Sequence, residues 1–235
     1  MNAPDIPQLP ELTTVRGVSG SRGPVLWCRL PDAHRAISTA VLGGGIGAPR
    51  WWANVQVDRD YHRDDPIAHL REVADRLELT GPGVGMLTAA RVDRWTTSSD
   101  NGVSTVATVG LGLPVPAAAP DEIDWWPMPG TINLLVRLPV PLSDAALVNA
   151  VVTATEAKTQ ALMEADVPGT GTSSDAVCIV CPAGGKATED YGGPRSRWGA
   201  RLARSVHRAV AAGTADWIDR HPPGDEHRRW RDRSG

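Results

Sequence analysis

The sequence predicts an α+β fold: a single domain in which helices pack on a mixed, largely antiparallel β-sheet. Three observations predict it. Seven short segments combine β-branched residues with alternation and Gly or Pro boundaries. Three longer segments carry helical periodicity or helix-start signals. Their order, βββαβββαβα, is not the regular βα alternation of a parallel doubly wound sheet. At 235 residues with 41% hydrophobic content, the chain can bury one substantial core.

Residues 1–22 read as a mobile N-terminal tail, rich in Pro, Gly and charge. The folded domain is expected over 23–220, and 221–235 as a second mobile tail. Strand patterns occur at 24–30 (PVLWCRL), 36–42 (AISTAVL) and 52–58 (WANVQVD). A helix follows over 65–79, opened by Asp65 and Pro66. Residues 84–94 form the next strand, and TTSSDNG supplies turn chemistry for a hairpin into 103–112. A long Pro-rich loop, 113–129, carries Trp125 and Trp126 before the strand at 131–138. Helix 142–165 takes Ser143 as its N-cap with Asp144 in the first turn. After the strand at 176–181, helix 195–219 places Trp198, Leu202, Val206, Val210 and Trp217 on one stripe.

Composition removes several function classes. A net charge of −3 argues against nucleic-acid binding by broad electrostatics. Nowhere do about 18 consecutive apolar residues occur, so no helical membrane span is expected. The N-terminus carries acids and prolines in place of a secretory signal, and three cysteines make no disulfide framework. The cytoplasm is the expected compartment. No HExxH or GxSxG is present, and no GK[ST] phosphate pattern follows the Gly/Thr loop. Cys178 and Cys181 have CxxC spacing, but on a strand they point to opposite faces, so no metal ligand set is expected.

The sharpest chemical signal lies on helix 142–165. Asn149, Thr153, Glu156 and Gln160 share one narrow sector, facing either water or a site. Lys158 falls on the other side, among Leu147, Val151 and Leu162. A lysine on an apolar face either snorkels outward or is buried and usable in proton transfer. Only Lys158 and Lys186 are lysine among 24 basic residues, so the chain keeps lysine where a guanidinium would not serve. The loop PGTGTSSDAV then presents backbone N–H groups and hydroxyls closed by Asp175. Gly43 to Gly45 permit close backbone approach to a ligand, and PGTIN at 129–133 combines a turn, a hydroxyl and a carboxamide.

Taken in order, AVLGGG, WANVQV, GVGMLTAARV, STVATVGL, PGTINLLV, LSDAALVNAVVTATEAKTQAL, GTGTSSDAV and YGGPRSRWGARLARSV resemble the adenosylcobinamide amidohydrolase family. TEAKTQAL and PGTIN are the most specific pieces, and the resemblance spans roughly residues 25–212. It implies cleavage of the amide joining aminopropanol to the corrin-ring propionate of adenosylcobinamide, giving adenosylcobyric acid for cobalamin salvage. The expected catalytic groups are Glu156, Lys158, Asp175, Ser174 and Thr131. Glu156 or Asp175 would activate water or a hydroxyl, and Lys158 would carry a proton or hold a carboxylate. A covalent version uses Ser174 or Thr131 as nucleophile with Lys158 as base.

Gly44, Gly45, Asn54, Asn133, Thr155, Thr170, Gly171 and Thr172 are expected to bind substrate, with backbone amides near Gly171 and Thr172 at the oxyanion. Tryptophans at 51–52 or 125–126 would offer flat surface to the corrin. No cofactor or metal is required by the sequence, which stays compatible with a divalent ion. The expected partner is the small-molecule corrinoid, and a homo-oligomer is compatible with the sequence. A corrinoid-binding protein without turnover, or an amidohydrolase of another substrate, remain the alternatives.

Overall fold

The computed structural model describes residues 11–18, 23–120, 130–184, 188–228 and 230. The strands are β1 (Thr13–Val15), β2 (Val25–Arg29), β3 (His34–Ser38), β4 (Gly45–Gly47), β5 (Trp51–Gln56), β6 (Gly83–Thr88), β7 (Thr96–Asp100), β8 (Val103–Leu111), β9 (Gly130–Arg137) and β10 (Ala176–Pro182). The helices are α1 (Pro66–Arg76) after β5, α2 (Asp144–Glu164) after β9 and α3 (Arg197–Arg220) after β10. The expected order holds, with β1, β4 and β7 added. Two of these are three-residue edges, too short to show a period. In the third, Thr96–Asp100 pairs with β8, and only Asn101 and Gly102, both at positive φ, make the turn.

The strands form two sheets, β1-β2-β5-β6 and β4-β3-β10-β9-β8-β7. All pairings are antiparallel except β5–β6, crossed over by α1, and β9–β10, crossed over by α2. Alternation distributes the core accordingly. Ile132, Leu134, Val177 and Ile179 face α2 and α3, whereas Leu135, Cys178 and Val180 meet Leu26, Trp52 and Met86 between the sheets. On the outer face of the smaller sheet, Leu70 and Val73 of α1 cover Trp51, Ala53 and Val55. Covered on both sides, β8 is buried along its whole length. Ser143 and Ser196 cap α2 and α3, accepting from Ala146 N at 3.2 Å and Gly199 N at 3.0 Å.

β6 crosses the larger sheet. Gly85 bridges to Leu42, the Leu87 carbonyl accepts from Asn133 Nδ2 at 3.0 Å, and Ala90 lies against Gly110. The amino ends of β9 and β10 therefore emerge beside the carboxyl end of β6. The chain ends also pack further than expected. Thr13–Val15 adds a strand beside β2. His221 stacks on Trp217 at 4.2 Å, and Trp230 donates to the Leu111 carbonyl at 2.8 Å, because burying these rings outweighs the freedom of a polar tail.

α3 is fixed to the β7–β8 hairpin by Asp100, which accepts from Arg204 and Arg208. The Arg204 hydrogen bond, aided by Asn101, lowers the Asp100 pKa to about 2. A depressed carboxylate contributes stability above its unfolded pKa and loses it as pH falls through the folded value. Asp100→Asn is thus expected to cost about 2 kcal/mol at neutral pH. That difference should shrink between about pH 4 and pH 2, as read by denaturant unfolding across pH.

Candidate active site

Strand register decides which groups can meet. In the parallel β9–β10 ladder Asn133 is opposite Ala176, so Ile132 is opposite Asp175 and Thr131 opposite Ser174. Asp175 therefore shares the helix-facing side with Ile132, while Ser174 and Thr131 share the side facing the smaller sheet. The expected cluster divides into two groups, one on each side of the same ladder.

On the helix side, Lys158 is buried as one of the two readings of α2 required, and Nζ donates to Asp175 Oδ2. Their side chains are 8% and 12% exposed. Asp175 also accepts from Ile132 N at 2.8 Å, from Thr172 N at 3.1 Å and from the Thr172 hydroxyl. Both carboxylate oxygens thus take two donors each, which fills the group's acceptor sites. Its chemistry is to hold the 170–175 loop against the start of β9. Thr170 and Gly171 are clamped to Val115 by backbone bonds, and Thr159 Oγ1 donates to the Thr170 carbonyl at 3.0 Å. Sequence reasoning passed over Thr159, although its place beside Lys158 on the helix was a usable signal.

Gly171 packs against the ion pair so closely that a Cβ there would overlap both Lys158 Nζ and Asp175 Oδ2. Gly171→Ala is expected to cost about 1–3 kcal/mol through overpacking. It should also reduce turnover, since the pair must separate; thermal unfolding and a rate assay on one preparation check both.

On the opposite side, Ser174 Oγ lies 2.9 Å from Thr131 Oγ1 and 3.3 Å from the Gly130 carbonyl. Ser174 is exposed and Thr131 buried, so a hydroxyl pair is presented at the end of the sheet with one member open to solvent. The glycine loop follows β3: Gly44 and Gly45 are exposed, and Gly43 is at φ +74 where a Cβ would overlap the Gly83 carbonyl.

Several expected ligands are elsewhere. Asn54 and Asn133, 0% and 1% exposed, join Thr108 in a network sealed between the sheets. Asn133 Oδ1 also accepts from Ala176 N at 3.2 Å, so both amides position β9 and β10 and do not line a groove. Trp51 and Trp52 are 4% and 1% exposed and belong to the core, because α1 covers Trp51 on one face and the second sheet covers Trp52 on the other. Trp125 and Trp126 lie outside the described residues. Glu156 and Thr155 are both exposed on α2, Glu156 across the helix from Lys158, beside a shallow depression of about 630 Å³ shared with Thr159 and Met163. Glu156 therefore does not join the pair as sequence reasoning had it, and the Thr155 hydroxyl is turned back on the Val151 carbonyl at 2.9 Å.

The cysteines are free and buried, and burial pushes Cys28 up to about 12. Among the described residues no group of three or more His, Cys, Asp or Glu is arranged to hold a metal, and no helix is long and apolar enough to cross a membrane.

The family model described as adenosylcobinamide amidohydrolase matches residues 9–222. The chain belongs to that family. Two similar proteins bear the name adenosylcobinamide amidohydrolase. The one from Methanosarcina mazei is 28% identical over 186 residues, 76% of this chain and 88% of that protein. The one from Halobacterium salinarum is 34% identical over 200 residues, 80% of this chain and 83% of that protein. Among solved structures, the PH0078 protein from Pyrococcus horikoshii OT3 has a TM-score of 0.45 at 11% identity, covering 88% of this chain and 81% of that one, too slight a likeness to inform the site.

As a member of the adenosylcobinamide amidohydrolase family the chain is a hydrolase, and amide hydrolysis needs donors aimed at the carbonyl oxygen where charge develops. The Ser174–Thr131 pair has the chemistry for that role. The Lys158–Asp175 pair has the chemistry to hold the loop carrying it.

Proposed function

We propose that this hydrolase cleaves the amide joining aminopropanol to the corrin-ring propionate of adenosylcobinamide. Water supplies OH to the carbonyl carbon and a proton to the departing nitrogen, so the products are adenosylcobyric acid and aminopropanol. The acid would re-enter cobalamin synthesis, a cytoplasmic salvage step with the corrinoid as the small-molecule partner.

The observation that carries the reading is the solvent-open Ser174 hydroxyl, hydrogen-bonded to Thr131 at 2.9 Å on a loop anchored by Asp175. With Thr131 donating to Ser174, the exposed Ser174 hydroxyl donates to the amide oxygen, which gains negative charge as water adds. The donor role is favoured over a serine nucleophile by the neighbours of Ser174. Its hydrogen bonds among the described residues go to a hydroxyl and a carbonyl, and a nucleophile requires an adjacent base. Lys158 and Asp175 are positioning residues on the far side of the ladder.

The test is to incubate the purified chain with adenosylcobinamide, with and without chelator, and to separate the products chromatographically. Adenosylcobyric acid appearing in proportion to enzyme is the expected result, and the chelator arm reports whether a divalent ion takes part. An unchanged corrinoid that nevertheless co-elutes with the protein would replace this reading with binding alone.

A further inference from the structure

We infer that the crevice at the carboxyl ends of β5 and β6 is a nucleoside pocket, which in the substrate proposed above takes the adenosyl group. The naming of the nucleoside as adenosyl rests on the proposed function; the pocket itself does not. β5 and β6 are parallel neighbours joined by α1, and ligands of such units bind outside the carboxyl ends of the strands. Here that position is a cavity of about 260 Å³ lined by Val57, Asp58, Asp60, Tyr61, His62 and His69 among others. It is smaller than the roughly 300–1,000 Å³ that encloses a whole drug-sized ligand, so it suits one moiety of a corrinoid and not the ring.

The lining has the chemistry of a nucleoside site. Tyr61 stacks on His69 with centroids 5.4 Å apart, and its hydroxyl lies 3.0 Å from His69 Nδ1. That fixes a flat aromatic wall suited to a purine. The Asp60 side chain is exposed and makes no hydrogen bond or ion pair among the described residues, leaving its carboxylate to accept from ribose hydroxyls. His62 Nδ1 is held by the Asp60 carbonyl at 2.6 Å, so the other ring nitrogen faces outward.

A nucleotide phosphate is disfavoured, because Arg63, the cation of this wall, is already spent on Asp65 and Glu72. The pocket and the hydroxyl pair are both reached from the carboxyl end of β6. Val57 N donates to the Thr88 carbonyl at 2.8 Å, Ala90 follows against Gly110, and Gly110 pairs with Thr131. Strand and sheet spacings make this separation on the order of 20 Å, a span that an adenosyl group, corrin ring and propionamide arm cover together.

The decisive experiment titrates wild type, Asp60→Asn and Tyr61→Ala with 5′-deoxyadenosine, followed by NMR. In parallel, KM is measured for adenosylcobinamide and affinity for dicyanocobinamide, which lacks the nucleoside. We expect saturable 5′-deoxyadenosine binding by wild type and about tenfold weaker binding by Asp60→Asn, the loss of a charge-assisted hydrogen bond. KM for adenosylcobinamide should rise similarly while dicyanocobinamide affinity is unchanged. Asp60 is on the surface, so the folded state survives its replacement, and equal melting temperatures confirm this. Absence of 5′-deoxyadenosine binding to wild type, or an equal effect of Asp60→Asn on both corrinoids, overturns the inference. Nucleoside binding without corrinoid turnover would instead remove the proposed function and leave the pocket standing.

Discussion

Asp175→Ala is expected to lower the melting temperature by roughly 10 °C and to reduce turnover to background. The carboxylate takes donors from Lys158, Ile132 N and two groups of Thr172, so its removal strands a buried ammonium and a buried amide together. Breaking one partner out of a buried pair costs about 3–5 kcal/mol. In a chain of this length each kcal/mol corresponds to about 2–4 °C. The double variant Asp175→Ala with Lys158→Met should regain much of that stability, since the uncompensated charge is gone. Turnover should stay lost, because nothing then holds the 170–175 loop to β9. Thermal unfolding and rates of the four proteins in the cycle check both halves. Additive stability losses in the double variant would mean the two side chains act independently.

Ser174→Ala should behave in the opposite way. Ser174 is exposed, and its hydroxyl makes one bond to another hydroxyl and a longer one to Gly130, so the melting temperature should move by no more than a few degrees. The expected loss is in kcat/KM, by about 100- to 1,000-fold, the usual cost of deleting one donor to a developing oxyanion. Thr131→Val should lose a comparable factor, with a small stability change because its hydroxyl is buried. A stable protein with a large rate defect, set beside an unstable one, separates the reacting groups from those that position them.

Much of this arrangement was legible in the residues. Helical spacing alone put Lys158 among Leu147, Val151 and Leu162, and the structure buries it there. The same spacing set Glu156 on the opposite side, which is where it lies, exposed. PGTIN and GTGTSSD, far apart in sequence, meet because β9 and β10 are parallel neighbours joined by α2.

The misplacements share a cause. Asn54, Asn133, Trp51 and Trp52 look like groove lining if the strands form one sheet with a free face. A second sheet packed on that face buries Asn54, Asn133 and Trp52, α1 on the other face buries Trp51, and single-strand alternation does not encode which faces will be covered. The division of Asp175 from Ser174 was within reach of strand alternation. It was hidden by treating 168–175 as a loop converging on one point.

Catalysis as proposed depends on the Ser174–Thr131 pair acting on the scissile carbonyl as charge builds there. Steady-state kinetics of Ser174→Ala with adenosylcobinamide, resolved into kcat and KM, address that directly. An interaction made in the transition state alone predicts a fall in kcat of about 100-fold or more with KM within a few-fold of wild type. A kcat within about tenfold of wild type, a difference of only ~1.4 kcal/mol, would place the chemistry elsewhere on the molecule.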